Sequence, residues 1–291
     1  MGRVLVRRLQ EQGHVIRILA LAGDPNAAEF ENTATEIIYG SVAQKDDLKG
    51  ICKNISVVYH LAAVIIADDQ RVYDSVNVRG TENLIAEAHK SGVSHFIYIS
   101  SASVVYPKPT PYSLSKRKAE EIVVQSGIPY TIIRPTLAYG EEGGLEFDMF
   151  LNYLRKFPVV PFIGRGKALK SPVYIGDIID GLVKAGVTKK VTGKIYNFSG
   201  PDSIEIKEFS RLLLSLSGSK SKLIVPIPIA VCTVIAQILG IFMKRPPLRW
   251  STIAGITQHA NLDPSEAVID LGYTPSSLKS KLPGCFPRFK Q

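Results

Sequence analysis

Five short runs in this sequence are apolar at nearly every position: VIRILALA (15–22), SVVYHLAAV (56–64), HFIYIS (95–100), YTIIRP (130–135) and IYNFSG (195–200). A strand with one wet face alternates apolar and polar residues, whereas a strand buried on both faces has no reason to alternate. Runs of this length bounded by turn residues read as strands of the second kind. Helical spacing fills much of the chain between them. Val4, Leu5 and Leu9 share one helix face, and Gly13 follows where a C-cap glycine belongs. Residues 76–91 form a helix with Asn83, Glu87 and Lys90 facing out, and residues 112–126 form another. EIIY (36–39) is a shorter strand, and residues 45–53 suggest a helical turn. Strands alternating with helices predict a parallel sheet covered on both faces, the doubly wound α/β architecture. Such sheets bind nucleotides at the carboxyl ends of their strands.

After Gly140 this rhythm changes. Residues 147–157 and the stretch GRGKALKSPVYIGDI lead to the strand at 195–200, and a proline-punctuated helical tail follows. We read residues 1–200 as a nucleotide-binding domain carrying lobe insertions at about 141–172, and residues 201–291 as a smaller substrate lobe. At 291 residues, 45% hydrophobic and 21% charged, the chain is ordinary globular material, which excludes long disorder, collagen and coiled coil. Cys52, Cys232 and Cys285 are too few and too scattered for a disulfide scaffold or a zinc site, so a reducing, cytoplasmic compartment is expected and no metal. The formal charge of +9 is compatible with nucleic acid, an anionic membrane or phosphorylated ligands. No aromatic residues interleave with the basic ones as in a nucleic-acid groove, so nucleic acid is not expected.

Residues 223–243 carry no charge. Their length suits a membrane crossing, but Pro226 and Pro228 break the first third and Gln237 interrupts the rest. A strand or turn followed by a helix buried in the second lobe is one reading. A helix lying in a membrane surface, flanked by Lys220, Lys222, Lys244 and Arg245, is the other.

The chemistry concentrates around residue 112. Tyr112 and Lys116 are four apart at the start of a helix, so they share a face. A phenol titrates near pH ~10 and needs help to act at neutral pH. An adjacent ammonium favours the phenolate and supplies part of it. Ser100 and Ser101 end the strand HFIYIS, where a hydroxyl can orient a substrate oxygen or merely cap the turn. Together, Ser101, Tyr112 and Lys116 form a candidate catalytic set: tyrosine relays the proton, serine orients the oxygen, and lysine tunes the tyrosine. His60 sits inside an apolar strand and reads as a core residue, and His259 has no ligand-like spacing around it.

The ordered segments VVYHLAAV, VNVRGTENL, FIYISSASVVY, PYSLSK, TIIRPTLAYG and YNFSGPDSI resemble the extended short-chain dehydrogenase/reductase family, over nearly the whole chain. Within it, the chain is most similar to the nucleoside-diphosphate-sugar epimerase/dehydratases and the 3β-hydroxysteroid dehydrogenase-like branch. The resemblance implies a Rossmann domain that holds NAD or NADP, a small C-terminal substrate lobe, and hydride transfer at the nicotinamide. It implies that Tyr112, Lys116 and Ser101 are catalytic, and that Leu61, Ala62, Ala63, Asn77 and Pro135 border the cofactor. It also implies a homodimer formed through the helices at 76–91 and 112–126.

The chain departs from the family's pattern in places. Met1-Gly2 stands where the family has a first strand and a glycine-rich turn, and Gly2 matches the last glycine of that turn. That turn and the helix behind it normally cradle the pyrophosphate. The absent strand is central, so its two neighbours should be left with unpaired edges and NAD(P) should bind weakly. A true start upstream of Met1 is the reading preferred over a truncated product. Ser41 replaces the acid that often contacts adenine after Gly40, Ser56 replaces an acid before the next strand, and Tyr174-Ile175-Gly176-Asp177 keeps one acid of a usual pair. Lys170 or Arg165 would take the place of a diphosphate-binding arginine. Asp24, near the tip of the second family strand, leans towards NAD. The expected activity is an epimerase, dehydratase or oxidoreductase acting on a sugar nucleotide. A dehydrogenase for a hydrophobic alcohol such as a sterol or isoprenoid, with peripheral membrane contact through 223–243, is the alternative. A non-catalytic nucleotide-binding subunit is the third reading.

Overall fold

The computed structural model describes residues 1–142, 144–218, 222–243 and 246–286. The strands are β1 (Arg17–Ala20), β2 (Glu36–Tyr39), β3 (Val57–His60), β4 (His95–Ile99), β5 (Tyr130–Pro135), β6 (Ala138–Tyr139), β7 (Val159–Ile163), β8 (Leu169–Lys170), β9 (Val173–Tyr174), β10 (Lys194–Phe198), β11 (Ile204–Glu205) and β12 (Leu223–Ile227). The helices are α1 (Gly2–Glu11), α2 (Pro25–Ala28), α3 (Gly80–Lys90), α4 (Pro111–Gln125), α5 (Leu145–Lys156), α6 (Ile175–Val187), α7 (Ile206–Leu216), α8 (Ile229–Phe242), α9 (Trp250–Thr257), α10 (Ser265–Leu271) and α11 (Leu278–Lys281). A π-helical stretch, Tyr73–Arg79, runs directly into α3.

The main sheet is parallel, in the order β10-β5-β4-β3. Its apolar continuity has the cause expected from the sequence. Along β4 every residue is buried. Ile97 and Ile99 pack with Ile178, Ile179 and Leu182 of α6 on one face, joined by Leu5 of α1. Phe96 and Tyr98 pack on the other face with Leu84 and Ala88 of α3 and Ala119 and Val123 of α4. Gly186 of α6 lets that helix close on the sheet, because a Cβ there would meet the Tyr59 hydroxyl at 1.8 Å.

β1 and β2 form a separate parallel pair, in register from Arg17↔Glu36 to Ala20↔Tyr39. Among the described residues, β1 pairs only with β2, and β3 only with β4. Between the facing edges of β1 and β3 lies a cavity of about 610 Å³, lined by Ile18 and Leu19, by Val57 and Tyr59, and by Gly2 and Leu5. The unpaired neighbouring edges foreseen from the sequence are therefore present.

A second core is built from α5, α7, β7, β12 and α11, with Phe147, Leu151, Phe162, Phe209, Leu213 and Leu278 at its centre. β7 and β12 pair in parallel through five positions. Ala267 and Leu271 of α10 and Tyr273 pack into the first core, where Tyr273 stacks on Phe198 at 4.5 Å. The strand-then-helix reading of residues 223–243 is correct, since β12 takes Pro226 and ends at Ile227, and α8 follows directly after Pro228. The expectation that this helix is buried is overturned: Cys232 is its one buried residue. No helix among the described residues is long and apolar enough to cross a membrane.

Candidate active site

α4 begins at a fixed point because its end is capped twice. Thr110 Oγ1 accepts from the Ser113 amide at 3.1 Å, Ser113 Oγ accepts from the Thr110 amide at 2.7 Å, and Pro111 occupies the first turn. Tyr112 is thereby set in the first turn and Lys116 one turn later. Asn77 holds the helix from the side. Its amide Nδ2 donates to Ser115 Oγ at 2.9 Å and to the Val64 carbonyl, while its Oδ1 accepts from the Val64 amide at 2.8 Å. Asn77, 1% exposed, thus ties the segment after β3 to α4 rather than capping a helix. A buried ion pair, Arg134 to Glu120, fastens α4 to β5, with Arg134 Nε donating at 2.9 Å.

Ser101 caps the short 3₁₀ turn Ala102–Val105, accepting from the Ser103 amide at 3.2 Å, and its hydroxyl also pairs with Ser103 Oγ at 2.9 Å while lying close enough to Tyr112 to act on its phenol. Structural capping and contact with the tyrosine therefore coexist at one residue. Lys116 is 2% exposed. Its ammonium donates to the Ile99 carbonyl at 2.6 Å and lies 4.1 Å from the centre of the Tyr98 ring. Burial pulls it down to about 7, against the nearby Glu120 carboxylate. Burial, then the charge of Glu146, pushes the Tyr112 phenol above its ordinary value, and the neighbouring Ser101 hydroxyl works the other way. The net direction is opposite to the lowering that the Tyr112–Lys116 spacing predicts. In this state Tyr112 is a proton donor.

Glu146 carried no signal in the sequence, being one acid in a loosely patterned stretch. It opens the first turn of α5 with its surface exposed, yet surrounding protein desolvates the carboxyl group and raises it, with Lys170 opposing. Lys170 is buried, and its ammonium donates to the carbonyls of Gly255 and Gln258. Burial brings it down to about 8, with Glu146 in opposition. Arg165 lies apart from this group. It is exposed beside a second cavity of about 590 Å³, bordered by Lys167, Pro228, Ile229 and His259. Gln258 was also invisible to sequence reasoning. It exchanges two 2.7 Å hydrogen bonds with the backbone of Lys108, joining the second lobe to the loop before Tyr112.

The other candidates fall at the carboxyl ends of strands. Leu61, Ala62 and Ala63 directly follow β3, and Pro135 is the last residue of β5. Ser41 follows the tip of β2, its amide donating to Asp47 Oδ2 at 2.8 Å. Asp24 caps α2 by accepting from the Asn26 amide. Gly2 is the first residue of α1, a helix end that presents backbone N–H groups. His60 is a core residue, bonded to Thr81 at 3.0 Å and pulled down to about 3 by burial.

These residues suit the nicotinamide end of a dinucleotide. The Tyr112–Ser101 pair sits at the strand ends, and the adjacent Ser100 hydroxyl is buried without a protein partner.

A 3β-hydroxysteroid dehydrogenase/Δ5→4-isomerase of Mycobacterium tuberculosis is 26% identical over 251 residues, covering 75% of this chain and 67% of that protein. UDP-glucose 4-epimerase of Vibrio cholerae is 27% identical over 226 residues, 69% of each chain. The solved UDP-glucuronic acid 4-epimerase of Bacillus cereus, in complex with UDP-glucuronic acid and NAD, superposes with a TM-score of 0.78 at 23% identity, covering all of this chain and 96% of that one. It shares the Rossmann-type fold described above. The profile of the NAD dependent epimerase/dehydratase family matches residues 1–199, and this chain belongs to that family of NAD-dependent oxidoreductases.

Proposed function

We propose that this protein is an NAD(P)-dependent epimerase or oxidoreductase acting on a nucleoside-diphosphate sugar, with Tyr112 as its acid/base. The observation that carries this reading is the placement of Tyr112 in the doubly capped first turn of α4, beside Ser101 at the carboxyl edge of the main sheet. The bound dinucleotide supplies a hydride acceptor and donor. Tyr112, held protonated, gives its proton to a carbonyl oxygen as hydride arrives and takes one from a hydroxyl in the reverse direction. Ser101 orients that oxygen. Lys116 braces the strand end through Ile99 and places positive charge beneath the site. Leu61, Ala62, Ala63, Asn77 and Pro135 border the cofactor, and Gly2 and Ser41 serve its pyrophosphate and adenosine ends. Asp24, just beyond β1, favours NAD, whereas Lys170, its ammonium buried on the Gly255 and Gln258 carbonyls, is not free to hold a diphosphate. The sugar nucleotide is supported by the Vibrio and Bacillus relatives.

The second reading, a hydrophobic alcohol as substrate, is favoured by the exposed apolar residues of α8 and by the Mycobacterium relative. A homodimer through α3 and α4 is supported by Leu114 and Val124, which are 42% and 45% exposed on α4. Leu114→Lys should shift sedimentation towards monomer.

The test of the catalytic reading is Tyr112→Phe. Loss of a positioned acid/base should lower turnover by about 10²–10⁴-fold with the fold and cofactor affinity retained. Indifference to that change would leave a non-catalytic nucleotide-binding subunit as the better reading.

A further inference from the structure

α8 projects an apolar stripe into solvent. Val231, Val234, Ile235, Ile238, Ile241 and Phe242 fall at i, i+3, i+4, i+7, i+10 and i+11, so they share a face. They are between 40% and 81% exposed, with Ile241 at 77% and Phe242 at 81%. Cys232 lies on the opposite, packed side. A helix on the surface of a soluble lobe normally turns its polar residues outward. This one turns mainly apolar residues outward, with Gln237 the exposed polar one, and Leu223 and Val225 on the adjoining β12 extend the apolar surface. Contiguous exposed apolar surface of this kind marks an interaction site.

The charges around it are of one sign. No aspartate or glutamate occurs from 149 to 176 or from 209 to 262, the two stretches that pair as β7 and β12, while eleven lysines and arginines do. Two are engaged inward, Lys170 by burial and Arg249 by its ion pair with Asp68. Others bracket the helix. Arg165 and Lys167 are exposed on the loop whose Gly164 meets Ile229, at the start of α8. Lys244 and Arg245 follow Met243 directly in the chain. Lys222 donates to the Arg155 carbonyl at 2.6 Å, which gathers Lys222, Arg155 and Lys156 at the start of β12.

We infer that α8 docks this protein onto an anionic membrane surface, lying flat with its apolar stripe among the acyl chains and the flanking cations among the headgroups. Its 14 residues rise to about 21 Å, short of the ~30 Å hydrocarbon core, so it lies in the interface rather than crossing. A second copy is the poorer occupant. A two-fold contact through α8 sets like surfaces together, and here both would be basic. The inference holds whichever substrate the active site takes.

The test is flotation of the full chain with vesicles of phosphatidylcholine alone or mixed in equal parts with phosphatidylglycerol. Binding to the anionic vesicles should exceed binding to the neutral ones by about tenfold or more, and salt should abolish the difference. The pair Ile241→Asn and Phe242→Asn, both solvent-facing, should keep the circular dichroism spectrum and lose at least about tenfold in vesicle affinity. The pair Lys244→Glu and Arg245→Glu should lose the preference for anionic lipid. The inference fails if the unaltered chain ignores phosphatidylglycerol or if both variant pairs bind as it does. It also fails if the asparagine pair instead abolishes a solution dimer, which would assign the stripe to a second copy.

Discussion

Lys116 sits where an ammonium is uncomfortable, and that discomfort is measurable. Its folded value of about 7 lies well below that of a free lysine near ~10.4, so between those limits the unfolded chain binds the extra proton. Stability must then rise with pH across that window, and the full penalty is present below about 7. Lys170, drawn down to about 8, adds a slope of the same sign from that point upward. Chemical denaturation at a series of pH values should show this rise. Lys116→Met should flatten it and leave the part due to Lys170. A slope unchanged by Lys116→Met would mean that the ammonium is solvated in the folded protein. The result bears on function, because a lysine that loses its charge near neutrality supports a phenolate less well as pH rises. Tyr112, raised by burial and Glu146, then stays protonated and works in the direction of carbonyl reduction unless bound cofactor changes its surroundings.

α4 is the element on which the site depends, and three ties hold it: the Thr110 cap, Asn77 against Ser115, and Glu120 against Arg134. The last is a buried pair with side chains 7% and 21% exposed. Removing one charge leaves the other stranded, so Glu120→Gln should cost about 3 kcal/mol in urea denaturation. Turnover should fall as well, because the same helix carries Tyr112. A cost below about 1 kcal/mol would show the pair to be solvated. Much of this element was legible in advance: a helix over 112–126 was expected, and the four-residue step puts Tyr112 and Lys116 on one face. Direction was not legible. That Lys116 turns to the Ile99 carbonyl depends on where a strand end lies in space, which no local pattern encodes. The same limit hid α8, where apolar composition forecast a helix but could not say which way its apolar side would face. Glu146 and Gln258 were missed because each enters the site from a separate stretch of chain, with no spacing to link it to Tyr112.

The division of the sheet governs the behaviour of the whole molecule. A pair of strands on its own is marginal, and β1–β2 has only partial cover, with Leu19 and Ile38 against the α3–α4 core. The edges of β1 and β3 face each other across the cavity of about 610 Å³ instead of sharing hydrogen bonds. Opening of the β1–β2 unit therefore breaks no ladder to the main sheet. Native-state hydrogen exchange should find two cooperative units. Amides of β1 and β2 should exchange through a low-energy opening and respond weakly to denaturant, whereas those of β4 and β5 should exchange only on global unfolding. In the cofactor site proposed above, binding is linked to the same unit, since Asp24 and Ser41 lie just past β1 and β2 and Gly2 lines the cavity. Part of the binding free energy must go into holding that unit closed. Calorimetry on this chain should accordingly give NAD affinity weaker than micromolar, with saturating cofactor slowing β1–β2 exchange more than that of β4. Equal protection of all strands without cofactor, together with micromolar binding, would show that β1 and β3 are coupled across the gap, and the account of the molecule as two separately opening units would have to be withdrawn.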